Sequence, residues 1–123
     1  MARVFVLDVI QNEVRMVEVD EELDDFYEQL SCKVFDVAKR KVGDVYYDIY
    51  CDDMGLLKED PVVSAIDQDG KPMLVGNLLL ANHDDHGRTT SLSLKDVENI
   101  YRHIAVLRSP EKYSGQKVLV CEY

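Results

Sequence analysis

The stretch from Ala65 to Ile104 constrains the fold more than any other part of this chain. It holds an Asp69-Gly70 pair between two apolar runs, which is a strong hairpin signal. Met73 to Ala81 follows as a buried strand, and Asn82 to Thr90 as a polar loop. Ser93 then precedes Asp96 by three residues, a variant of the capping box that opens a helix. Leu94, Val97, Ile100, Tyr101, Ile104 and Leu107 continue as a helical apolar stripe. A hairpin, a buried strand and a capped amphipathic helix in one short run commit the chain to a mixed architecture.

The rest of the sequence extends that reading. Residues 2–10 are apolar at both alternating sets of positions, as in an interior strand covered on two sides. After a turn at Gln11-Asn12, Glu13 to Val19 alternates and completes an N-terminal hairpin. Asp20 is placed to cap a helix that ends near Leu30, with Leu23, Phe26, Tyr27 and Leu30 on one face. Two strands fall between Cys32 and Cys51, separated at Gly43-Asp44. The second carries Tyr46, Asp48 and Tyr50 on a face that is partly wet. Asp52 to Gly55 is a turn by composition, Val62 to Ile66 a brief strand, and Lys117 to Tyr123 a last one. The expected fold is α+β, a mostly antiparallel sheet with two helices in the order ββαββββαβ. The chain is read as a single globular domain, 1–123, without internal repeats or a linker.

Charge limits the partners. The chain has 24 acids against 14 bases, a formal net charge of −10. Such a surface is repelled by phosphate backbones and anionic lipids, so direct nucleic-acid or membrane binding is disfavoured. No apolar run approaches the roughly 20 residues that span a bilayer, and no leader pattern opens the chain. Cys32, Cys51 and Cys121 are odd in number and widely spaced, which fits reduced thiols in a cytoplasmic protein.

The residues offer little chemistry. His83-Asp84-Asp85-His86 is the best metal candidate, with His83 and His86 as ligands and Cys51, Asp52 or Asp53 as a third. The ligand count is short, and a hydrophilic loop tip is the plainer reading. His103 falls off the apolar stripe, as a surface residue would. The Asp67-Gln68-Asp69-Gly70 turn fails the calcium-loop spacing. There is no nucleophile elbow and no phosphate-cradling loop, so no catalytic residue and no cofactor is assigned. From Glu18 to Glu28 the chain carries seven acids and no base. First-turn carboxylates favour the helix dipole. The sharper reading makes Glu21, Asp24, Asp25 and Glu28 an anionic face that docks on a basic protein surface.

Three motifs carry a family resemblance over about residues 45–105. They are the acidic-Gly turn from Asp52 to Leu56 with Pro61 beyond it, Val75-Gly76-Asn77 inside an apolar run, and Ser91-Leu92 at the helix start. In these the chain resembles a small acidic family of unknown function. That family is encoded on phages, plasmids and conjugative elements of gut bacteria, chiefly gram-positive ones. The resemblance implies a mobile-element setting and no assigned activity. Small acidic proteins of such elements often act by binding host defence or transfer machinery. The expected function is therefore a non-enzymatic protein-binding module. In its sharper form it inhibits a host defence or nucleic-acid enzyme, such as a restriction or CRISPR nuclease. The alternatives are a small enzyme or metal-dependent module using the 82–90 loop, and a self-associating scaffold.

Overall fold

A computed structural model describes residues 2–20, 23–30, 35–52, 62–107 and 115–123, without the side chains of Leu23 and Asp24. Among these residues the strands are β1 (Ala2–Asp8), β2 (Glu13–Val19), β3 (Phe35–Val42), β4 (Val45–Asp52), β5 (Val63–Ile66), β6 (Pro72–Val75), β7 (Leu78–His83), β8 (Thr89–Thr90), β9 (Ile104–Val106) and β10 (Lys117–Val120). The helices are α1 (Leu23–Leu30) and α2 (Leu94–Arg102). The fold is α+β, and all but one of the strand pairings are antiparallel.

The larger sheet runs β2-β1-β7-β4-β3, with β8 paired to the end of β7. As the double-sided alternation of residues 2–10 predicts, β1 is interior, between β2 and β7. Val4 and Val6 face one way and pack with Leu79, Phe26 and Leu30 under α1. Phe5 and Leu7 face the other way and pack with Ile49, Leu78, Leu80, Ile100 and Leu119. The second sheet runs β6-β5-β10-β9, and β5 and β10 are parallel. It lies with α2 on the face opposite α1. Reciprocal backbone hydrogen bonds between Lys41 and Glu122, 2.7 and 2.9 Å, tie the two sheets at one border.

Three expectations about the elements are corrected. The apolar run Met73–Ala81 is two strands in two sheets, because Gly76 takes φ +77° and turns the chain from β6 into β7. Its N–H donates to the Val62 carbonyl at 2.8 Å. The helical stripe stops at Arg102. Ile104 belongs to β9, where pairing with β10 overrides a periodicity that would have continued the helix. Asp52 is the last residue of β4 and is buried, where composition had suggested a turn. The remainder of that turn, residues 53–55, lies outside the described residues, as do Pro61 and Pro110.

The capping box at the start of α2 forms as read. Asp96 N–H donates to Ser93 Oγ at 3.1 Å, and Ser93 N–H donates to the Asp96 carboxylate at 3.0 Å. The same carboxylate accepts the Tyr47 hydroxyl at 2.8 Å and the Asn82 amide at 3.3 Å, so the cap also bolts α2 to β4 and β7. Burial would raise the Asp96 pKa, but the donors from Ser93, Tyr47 and Asn82 outweigh it and hold the acid below its usual value. Burial pushes the Tyr47 phenol up to about 12, so it stays a donor. A carboxyl depressed in the folded state stabilises above its unfolded pKa of about 3.9 and loses that contribution as pH falls through the folded value. Stability should therefore decline below about pH 4. Asp96→Asn should flatten that decline and lower stability at pH 7 by about 1–2 kcal/mol, as read by urea unfolding at several pH values.

Candidate functional site

Helix α1 is amphipathic as its spacing predicts. Phe26 and Leu30 are buried against the larger sheet, and Phe26, Tyr27, Phe35 and Tyr50 form an aromatic cluster beneath it. Full burial of Phe26 and Leu30 contributes about 1.5–3 kcal/mol each, enough to hold a helix too short to be stable alone. Asp25 and Glu28 fall on the other side of the helix, by 3.6-residue periodicity. Glu28 is exposed, while the Asp25 carboxylate accepts the Asp20 backbone N–H at 2.8 Å. Glu21 and the side chain of Asp24 lie outside the described residues. Glu18 is not part of the same face. It alternates with Val17 and Val19, which pack under α1, and so points to the opposite side of the sheet. Ion pairs made between described residues involve the acids Asp8, Glu13, Asp48 and Glu98. Neither Asp25 nor Glu28 has a cationic neighbour there.

The polar loop of residues 82–90 is a hairpin. Asn82 and His83 pair with Thr90 and Thr89, and the turn between them is built by Asp84. The Asp84 carboxylate accepts the N–H groups of His86 and Arg88, both at 2.9 Å, and the Arg88 and His86 bonds hold its pKa down against slight burial. His83 Nδ1 meets Asp48 Oδ2 of β4 at 2.5 Å. His86 is exposed on the turn. The structure thus sets Asp48 against His83 where sequence spacing had nominated Cys51, Asp52 or Asp53. Among the described residues, no group of three or more His, Cys, Asp or Glu side chains is arranged to hold a metal ion.

Two clefts open among the described residues. The larger, about 360 Å³, lies between β6 and the open end of the β3–β4 ladder. Pro72, Met73, Leu74 and Val75 line it from β6, and Asp36, Cys51 and Asp52 from β3 and β4. The smaller, about 210 Å³, opens where α2 ends beside the β3–β4 turn and is lined in part by Lys41, Asp44, His103 and Glu122. His103 is a half-buried C-cap, contrary to the surface position expected, and its Nδ1 donates to the Asn99 carbonyl at 2.7 Å. Sequence reading passed over the larger cleft. Asp36 and Asp52 lie on the two different strands of a hairpin, and only the β3–β4 register with the arrival of β6 brings them to one opening. The one local signal was Pro72 at the head of a short strand, a mark of a sheet border.

None of the described helices is long and apolar enough to cross a membrane. A domain of unknown function, DUF3846, matches residues 2–105, and the chain belongs to that family. The match takes in the N-terminal hairpin and α1 as well as the motifs between residues 45 and 105. No curated protein and no solved structure matches the chain.

Proposed function

We propose that this DUF3846 protein is a non-enzymatic binding module that docks on a basic surface of a partner protein. The observation that carries the reading is α1. Its apolar side is consumed by the core, while Glu28 stands exposed with no cation beside it among the described residues. The net charge of −10 surrounds that face with a field that attracts a basic partner and fixes its approach. The phosphate-binding groove of a nucleic-acid enzyme, a host restriction or CRISPR nuclease among them, has the complementary sign. The resemblance to mobile-element proteins and the buried thiol of Cys121 support a cytoplasmic setting for such an encounter.

The test is charge reversal on the captured partner. Glu28→Lys, alone and with Asp24→Lys, should weaken binding roughly tenfold or more and flatten its salt dependence. Asp25 is left intact because its carboxylate holds the Asp20 N–H. Unchanged affinity in a variant of unaltered melting temperature would remove α1 from the interface.

A further inference from the structure

We propose that the smaller cleft, where the end of α2 meets the β3–β4 turn, binds a small zwitterion: a free α-amino acid. Its volume of about 210 Å³ suits a ligand of that size. Lys41, Asp44, Gln68, His103 and Glu122 line it, so both signs of charge and neutral hydrogen-bonding groups share one small opening. Among the described residues, neither Lys41 nor Asp44 makes a side-chain ion pair. Glu122 Oε1 accepts the Gln68 amide at a long 3.5 Å, and the carboxylate keeps lone pairs to spare. His103 adds a fixed acceptor. Its Nδ1 donates to the Asn99 carbonyl at 2.7 Å, and since a carbonyl only accepts, the neutral ring carries its lone pair on Nε2. Gly43 keeps that nitrogen uncovered, because a Cβ there would stand 3.4 Å from it. The cleft sits at the turn of the β3–β4 hairpin, whose described stretch ends at Phe35 and Asp52, at the far end of the ladder.

These groups divide a ligand's two charges between them. An ammonium finds the Asp44 and Glu122 carboxylates, the Nε2 acceptor and the last turn of α2, whose carbonyl end favours a cation. A carboxylate finds Lys41, the cationic side chain among the described residues lining the cleft. A ligand of one sign meets a like charge: an anion meets Asp44 and Glu122, and a cation meets Lys41. A zwitterion answers both, and the Gln68 amide offers it a donor and an acceptor. The inference does not rest on the docking reading of α1, which concerns a different surface.

The test follows amide resonances of the ¹⁵N-labelled chain during titration with L-serine, ethanolamine and 3-hydroxypropanoate at fixed pH and ionic strength. Ethanolamine is serine without its carboxylate, and 3-hydroxypropanoate is serine without its ammonium. L-Serine should give saturable shifts at Gly43, Asp44, His103 and Glu122. Each half-ligand should bind roughly tenfold more weakly, as loss of one charge-assisted hydrogen bond implies. Lys41→Met should weaken L-serine roughly tenfold while ethanolamine binds as before or tighter. Asp44→Asn, at an exposed turn, should weaken L-serine and ethanolamine roughly threefold while 3-hydroxypropanoate binds as before or tighter. That crossed pattern requires the two charges to be read by different residues. Should Lys41→Met fail to fold, Asp44→Asn alone carries the comparison. Ethanolamine or 3-hydroxypropanoate binding as tightly as L-serine would overturn the proposal. So would the lack of any saturable shift at these residues with L-serine.

Discussion

Gly43→Ala should destabilise the chain by about 3 kcal/mol, combining an unfavourable backbone region with overpacking. Gly43 has φ +62°, in the left-handed region. A Cβ there would lie 2.7 Å from Asn99 Oδ1 and 2.9 Å from His103 Cε1. Neither neighbour is free to move aside. Asn99 Nδ2 donates to the Val42 carbonyl at 2.8 Å and to the Tyr47 hydroxyl at 3.2 Å, and His103 is held by the Asn99 carbonyl. The added methyl therefore pushes α2 away from the β3–β4 turn it is bolted to. Gly70 supplies the control: its φ is +83°, but a Cβ there meets nothing within 4 Å. Gly70→Ala should cost only about 1 kcal/mol. Chemical denaturation of the two variants, with equal losses, would refute the steric argument.

Asn77→Ala should cost about 2–4 kcal/mol, because it strands buried backbone groups in two elements at once. Asn77 is 2% exposed and follows the turn from β6 into β7. Its Oδ1 accepts the Val9 N–H at 2.9 Å, and its Nδ2 donates to the Gln29 carbonyl at 3.4 Å near the end of α1. One amide thus joins the end of β1, the start of β7 and the last turn of α1. Nearby, Asp8 accepts the N–H groups of Ile10 and Gln11, while Arg15 bridges Asp8 to Gln29. Asn77→Asp keeps the acceptor for Val9 and loses the donor for Gln29. It should recover part of the lost stability, and amide exchange at Val9 should remain slow. Fast exchange at Val9 in Asn77→Asp but not in the parent would place the bond elsewhere.

The two positions differ in how they could be foreseen. The Val75-Gly76-Asn77 motif is visible in the sequence, and a glycine within a strand run already points to a bend. What Asn77 holds is not visible, since Val9 and Gln29 lie 68 and 48 residues away. Gly43 reads as an ordinary turn glycine until α2 is packed against it. The candidate sites divide the same way. The acidic, solvent-facing side of α1 follows from helical period, as Glu28 illustrates. The Asp48–His83 contact spans 35 residues, and the acidic cleft needs β3, β4 and β6 together.

Local order was written in the residues because its causes are local. Alternation in residues 2–8, the Asp69-Gly70 hairpin and the Ser93–Asp96 box each depend on neighbours within a few positions. Tertiary structure decided the rest, because pairing energy is shared between distant segments. It divided the run Met73–Ala81 between two sheets and drew Ile104 out of a helical pattern to pair with Leu119. It also buried Asp52, whose acidic, Gly-containing surroundings read as a solvated turn. An apolar side chain is content in a helix stripe or a strand face alike. Which of the two it joins is set by the strand that needs an edge covered, and no window of neighbouring residues contains that strand.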